Sequence, residues 1–318
     1  MQEVTPVQWF DDYREELVQV FEEARRQIAQ FPEPLDELGQ RYLDAFHPLI
    51  EGSSKNYVCY LLPYWLEDAL PLRREQTRDL ALANVFVMLH YFIQDDVMDS
   101  SSSPGGWSSQ LALSQLFQLQ YLGLYRAMFP HDSLFWQHHD TYAIDWASTV
   151  CNECNENYFL TDPMRVAKKA APVKLASTGA LLLTERPQLI YPVSEMVDLL
   201  LVTLQMNDDW ADWEEDLASG SYNGLIALVK SLRGLRSEDM ITPSEVRSSL
   251  FVGGAMTRYS ARAIAAHQRM RSLDMECPGL LAFHQSLTDS LSEAGSRIDA
   301  EKKSLELGAL NHWFYKNS

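Results

Sequence analysis

The chain has 318 residues, 46% of them apolar, enough to bury a large core, which excludes a disordered protein. Its 44 acidic residues outnumber 26 basic ones, and a net charge of −18 argues against nucleic acid or an anionic membrane surface as partner. Four cysteines are too few for a disulfide scaffold, and Cys151 and Cys154 form a C-x-x-C with no second pair to complete a zinc site. From Met1 to Phe10 no basic segment leads into an apolar one. Nor does any uninterrupted apolar run reach ~18 residues. A protein without signal peptide or membrane span, located in the cytoplasm, is the expectation.

Taken in chain order, apolar residues recur at three- and four-residue steps almost throughout, the mark of helices. The periodic stretches cover 7–31, 34–50, 57–70, 75–97, 108–129, 133–159, 173–183, 192–217, 225–235, 244–274 and 280–310. Breakers separate them, among them Gly52-Ser53-Ser54, Pro104-Gly105-Gly106, Asp162-Pro163, Gly220 and Cys277-Pro278-Gly279. No alternating strand pattern, internal repeat or dividing linker interrupts the series. The expected architecture is all-α, one domain over residues 1–318.

Two of the predicted helices are apolar nearly all round, Leu80 to Gln94 and Val197 to Met206. A helix without a polar face belongs in the centre of a bundle. Each leads into an acidic stretch: Asp95-Asp96-Val97-Met98-Asp99 after the first, Asn207-Asp208-Asp209-Trp210-Ala211-Asp212-Trp213-Glu214-Glu215-Asp216 after the second. Asp95 and Asp99 are four apart, as are Asp208, Asp212 and Asp216, so each set shares a helix face. Like charges so placed repel unless a cation lies between them. Hard oxygen ligands on a rigid face suit Mg²⁺, and Mg²⁺ most often holds a phosphorylated substrate. Two central helices, antiparallel or slanted, would bring both stretches to the mouth of one cavity.

The first stretch resembles the DDxxD motif of class I isoprenoid enzymes. The second, from Gln205 to Gly220, is similar to the second aspartate region of trans-isoprenyl diphosphate synthases, and 113 positions separate Asp95 from Asp208. Between them, Val173-Lys174-Leu175-Ala176-Ser177-Thr178-Gly179 is similar to the family's Lys-Thr segment, whose lysine contacts diphosphate. The resemblance covers residues 80–230 most clearly. It implies a helical bundle with a central active-site cavity. It also implies three Mg²⁺ ions holding the diphosphate of a prenyl substrate while the C–O bond ionises to an allylic cation.

Under that resemblance the metal ligands are Asp95, Asp96, Asp99, Asp208, Asp212 and Asp216. A second alignment, to the NDxxSxxxE triad of terpene synthases, would instead use Asn207 and Glu215, with Ala211 where a hydroxyl ligand belongs. Asp95, Asp96, Asp99, Asp208 and Asp212 are the residues expected to carry catalysis. Arg165, Lys174, Lys230 and Arg258 are the candidates for the diphosphate, and Tyr91, Phe92 and Trp210 for the cavity wall. Chain-elongating synthases bind isopentenyl diphosphate with arginines that follow the first DDxxD. Here Ser100 to Ser103 stand in that place, and only Lys55 remains of an upstream basic segment. Serine does not replace the bidentate arginine fork. The sequence therefore points to a Mg²⁺-dependent terpene synthase, a lyase acting on a C15 or C20 diphosphate. The alternatives are a chain-elongating trans-isoprenyl diphosphate synthase and a non-catalytic partner subunit of one. The family commonly forms homodimers.

Overall fold

The three-dimensional structure is a computed structural model. It describes residues 8–99, 104–152 and 157–316; the side chains of 8, 99, 104–106, 299, 301 and 304–316 lie outside that description. Among the described residues every regular element is helical. In chain order these are α1 (Gln8–Asp11), α2 (Arg14–Ile28), α3 (Leu35–Ala45), α4 (Tyr57–Glu67), α5 (Arg74–Asp99), α6 (Pro104–Met128) and α7 (Leu134–Asn152). There follow α8 (Tyr158–Thr161), α9 (Met164–Ala167), α10 (Lys174–Leu183), α11 (Ile190–Ser219), α12 (Gly224–Leu232), α13 (Pro243–Phe251), α14 (Ala255–Arg271) and α15 (Pro278–Lys316). The all-α expectation is met.

Contacts gather into two compact units. The first takes in Met1–Ile144, Ala171–Ser194 and Met275–Leu280. Its centre is α5, whose Leu80, Val85, Phe86 and Leu89 are fully buried. Helices α2, α4, α6 and α10 pack around it. Each such side chain contributes roughly 1.5–3 kcal/mol of burial, which is why the all-round apolar stretch takes the middle. Gly179 lets α10 come close: a Cβ there would meet Leu80 at 2.8 Å and Phe129 at 3.4 Å. The polar Asn84 is tolerated inside because its Nδ2 donates to the Cys59 carbonyl at 2.7 Å.

The second unit takes in Asp145–Ala170, Glu195–Asp274 and Leu281–Ser318. Val197, Leu200 and Met206 of α11 are buried there, as is α12 from Gly224 to Val229. Helix α12 packs on α8, α13 and α14. Asn223 caps α12, its Oδ1 accepting from the N–H groups of Leu225 and Ile226 at 3.0 and 3.1 Å. The stretch 244–274, expected as one helix, is broken between α13 and α14 at Gly253-Gly254, with Gly254 at φ +67°.

The segment Pro187–Ser219 is long and apolar enough to cross a membrane by length and composition, and half of its most apolar window is buried inside the protein. Glu195 and Asp198 interrupt the apolar run, which is why a search for unbroken apolar sequence passes over it. The core helix of a water-soluble protein meets the same test.

Candidate active site

In the first unit, α5 carries its acids at the point where it leaves the core. Ile93 is buried, Asp95 is half-buried and Asp96 is exposed. Tyr42 on α3 donates its hydroxyl to Asp96 Oδ2 at 2.7 Å. Burial, and then the charges of Asp96 and Asp95, push the Tyr42 phenol far above its ordinary range, so it stays a donor. The side chain of Asp99 and residues 100–103 lie outside the described residues. One turn back, His90 is locked: Gln94 Nε2 lies 2.8 Å from its Nε2, and the Ser114 carbonyl 2.9 Å from its Nδ1. Burial lowers its pKa and keeps it neutral. Tyr91 is half-buried against His90, with ring centroids 4.8 Å apart, and Phe92 packs on Phe46 at 5.1 Å.

In the second unit, α11 turns its acids to different sides. At about 100° per residue, Asp208 and Asp212 stand roughly 100° and 60° round the helix from Asp209, to the same side, and Asp216 only about 20°. Exposure follows this geometry: Asp209 is 4% exposed, Asp216 half-buried, and Asp208 and Asp212 exposed. Asp209 Oδ2 accepts from the Gly224 N–H at 2.9 Å and from the Tyr259 hydroxyl at 3.2 Å, and Oδ1 from Gln205 Nε2 at 2.9 Å. Asn223 Nδ2 donates to the Asp209 carbonyl and to Asp216 Oδ2, both at 2.8 Å.

Burial pushes the Asp209 carboxyl up to about 6 against the pull of these donors. Asp208 is also pushed up to about 6, by the packing round its carboxyl and then by Asp209 and Asp212. Asp208 nonetheless presents surface to solvent. Asn207 Nδ2 donates to the carbonyls of Thr203 at 3.0 Å and Leu287 at 3.3 Å. Glu215 is exposed and Trp210 half-buried.

The oxygen-only donor set and the crowding of Asp208 by Asp209 and Asp212 both suit Mg²⁺, which would relieve that repulsion. Among the described residues no three acidic, histidine or cysteine side chains converge as a metal-binding group.

The basic candidates are spread. Lys174 opens α10 and is only 4% exposed, its ammonium 4.9 Å from the Tyr142 ring centre. Arg165 stacks on Tyr158 at 4.2 Å. Lys230 donates to the Ser237 carbonyl at 2.7 Å beside a groove of about 450 Å³ lined also by Asn157, Tyr222 and Asn223. Arg258 is exposed, whereas its neighbour Tyr259 is buried on Asp209. Lys55 gives its ammonium to its own loop, to the carbonyls of His47 and Ile50 and to Ser53 Oγ.

Sequence reading assigned no role to Asp209, Asn223, Gly224, Tyr259 or Tyr42. The Asn-Gly step before the apolar run 225–229 is a helix-start signal that could have found Asn223. Nothing local marks Tyr42 or the inward turn of Asp209.

The chain matches no protein-family model, and no curated protein matches it in sequence. Solved structures do match. A geranylgeranyl pyrophosphate synthase from Lactobacillus brevis superposes with a TM-score of 0.65 at 17% identity, over 89% of this chain and 97% of that one. A geranyltranstransferase from Methanosarcina mazei gives 0.61 at 16%, over 90% and 97%. A geranylgeranyl pyrophosphate synthetase from the archaeon Geoglobus acetivorans gives 0.60 at 13%, over 88% and 98%. The chain has the isoprenyl-synthase fold. The resemblance seen in the aspartate motifs thus extends to the path of nearly the whole backbone, at identities that establish the fold alone.

Proposed function

We propose that this chain is a Mg²⁺-dependent enzyme acting on an allylic prenyl diphosphate, of the chain-elongating prenyltransferase kind. The observation that carries the reading is the superposition on the Lactobacillus brevis synthase over 89% of the chain, taken with acids at the end of α5 and along α11. This weighting reverses the order suggested by the sequence, which put cyclisation first. We assign Asp95, Asp96, Asp99, Asp208 and Asp212 as the groups that would hold Mg²⁺; Asp216, bonded by Asn223 Nδ2 on the side of Asp209, is left out of the set. The Asn207/Glu215 set stays as the alternative: Asn207 Nδ2 donates to backbone carbonyls, while a metal would take its Oδ1. Bound Mg²⁺ supplies charge neutralisation to the departing diphosphate.

The chain's own part is to hold that diphosphate and to keep water from the allylic cation. Lys174 is the best placed cation for the first task, being held in a buried setting at the head of α10. Lys174 lies over the Tyr142 ring as Arg165 lies over Tyr158, Lys230 donates to the Ser237 carbonyl, and Arg258 faces solvent. Aromatic faces such as Tyr91, Phe92 and Trp210 suit the second task. We further infer one functional domain, since a single alignment spans 97% of the synthase and 89% of this chain, and a cytoplasmic site of action.

Cyclisation stays as a second reading on one observation. Lys55 is occupied by its own loop, and no arginine stands between Asp99 and Trp107 to bind a second diphosphate. The test is to incubate the purified chain with Mg²⁺ and geranyl, farnesyl or geranylgeranyl diphosphate, with and without isopentenyl diphosphate. A longer prenyl diphosphate that forms only with isopentenyl diphosphate supports elongation. Hydrocarbon or alcohol formed without it supports cyclisation. No consumption under any condition removes the catalytic reading and leaves a non-catalytic partner subunit.

A further inference from the structure

We propose that Asp209 is a positioning residue that sets the rotation of α11 and thereby aims Asp208 and Asp212 at the metal, an inference that rests on the Mg²⁺ reading above. Three elements hold its carboxylate at once. Gln205 comes from the preceding turn of α11, the Gly224 N–H from the first residue of α12, and the Tyr259 hydroxyl from α14. The N-terminus of α12 is a natural seat for a carboxylate: the Gly224 N–H donates to it and the positive end of the helix dipole favours its charge.

The seat leaves no freedom. A Cβ on Gly224 would lie 2.8 Å from Asp209 Oδ2 and 2.8 Å from the Phe159 ring, so the glycine is what lets the carboxylate reach the backbone. Phe159 is itself tied in, its carbonyl accepting from Arg262 at 2.9 Å and its N–H donating to Tyr222 at 3.1 Å. Asn223 adds a second clamp seven residues further along α11, at Asp216.

A helix fixed at Asp209 and Asp216 cannot roll. Asp208 and Asp212 then leave the helix on one side at set angles, with no partner of their own needed to aim them. This divides the acidic stretch into an inner pair that orients the helix and an outer pair that is oriented by it. The inner pair stands to the outer as hydrogen-bonded outer groups stand to metal ligands generally, where removing the support weakens the metal by about 10- to 100-fold.

Mn²⁺ with inorganic diphosphate, followed by electron paramagnetic resonance, reads metal binding without turnover. Tyr259→Phe removes one bond to Asp209 and keeps the ring. It should weaken Mn²⁺ binding about tenfold per folded molecule while circular dichroism stays that of the wild type. Gln205→Ala removes another bond at an exposed position, so it tests the same idea should Tyr259→Phe not fold, and it should shift Mn²⁺ binding in the same direction. Wild-type Mn²⁺ affinity in the variant that folds, with only a lower unfolding temperature, overturns the proposal and leaves Asp209 a structural group. If the wild type takes up no Mn²⁺, or Asp208→Asn takes it up unchanged, the metal reading of α11 fails and this inference with it.

Discussion

The acids of α5 and those of α11 look alike in sequence and are supported in opposite ways. Of the acids of α5, Asp95 is half-buried and Asp96 is exposed, with a bond from Tyr42. Helix α11 runs on to Ser219 and turns Asp209 inward, where Gly224, Gln205 and Tyr259 satisfy it. The first arrangement offers Asp96 to solvent at the edge of the core. The second is a polar network with two carboxylates mounted on its outer side. The same residue type, spaced similarly, serves either purpose depending on how deeply packing turns it in among donors from other helices.

The largest expected effect tests what the regions share. Asp95→Ala and Asp208→Ala should each lower Mg²⁺-dependent turnover of a prenyl diphosphate by at least about 100-fold. Retained turnover in both would remove these acids from the mechanism. The next separates the regions. Asp209→Ala strands buried donors and should cost ~3–5 kcal/mol in urea denaturation. Tyr42→Phe removes a bond to an exposed carboxylate and should cost ~1 kcal/mol or less. Equal losses would break the distinction.

Gly224→Ala should cost about 1–3 kcal/mol through overpacking against Asp209 and Phe159. At Gly123, where a Cβ meets nothing within 4 Å, alanine should instead gain up to ~1 kcal/mol. A tolerated Gly224→Ala would mean the α12 seat is loose.

The smallest effect is in the pH dependence of the metal-free protein. Folded Asp208 and Asp209 keep their protons up to about 6, against an ordinary 3.8. Between those values the folded state binds more protons than the unfolded one. The stability they contribute is therefore full below about pH 4 and is lost as the pH rises through 6. Asp208→Asn in a chelator should thus gain on the wild type between about pH 4 and pH 7. A stability gap constant over that range would show that Asp208 is not crowded.

Much of the helical plan was legible because buried faces repeat every three to four residues. The stretch from Leu80 to Gln94 reads as a central helix and is one. Joins were less legible: periodicity alone carries 244–274 through as one helix, but α13 ends at Phe251 and α14 starts at Ala255. The basic residues were least legible. Lys168, six positions before Lys174, pairs with Asp145 at 2.9 Å, 23 positions away. No local pattern encodes such a partner.

By itself the sequence determined that the chain is helical, that α5 and α11 are core helices, and that acids follow each apolar run. These are local matters of periodicity and composition. Only the tertiary structure decided which carboxylates are offered and which are consumed. Asp208 and Asp209 are neighbours of one kind in the sequence. Their different fates come from a glycine N–H 15 positions away and a tyrosine hydroxyl 50 positions away, and a bond of that kind exists only once the helices have packed.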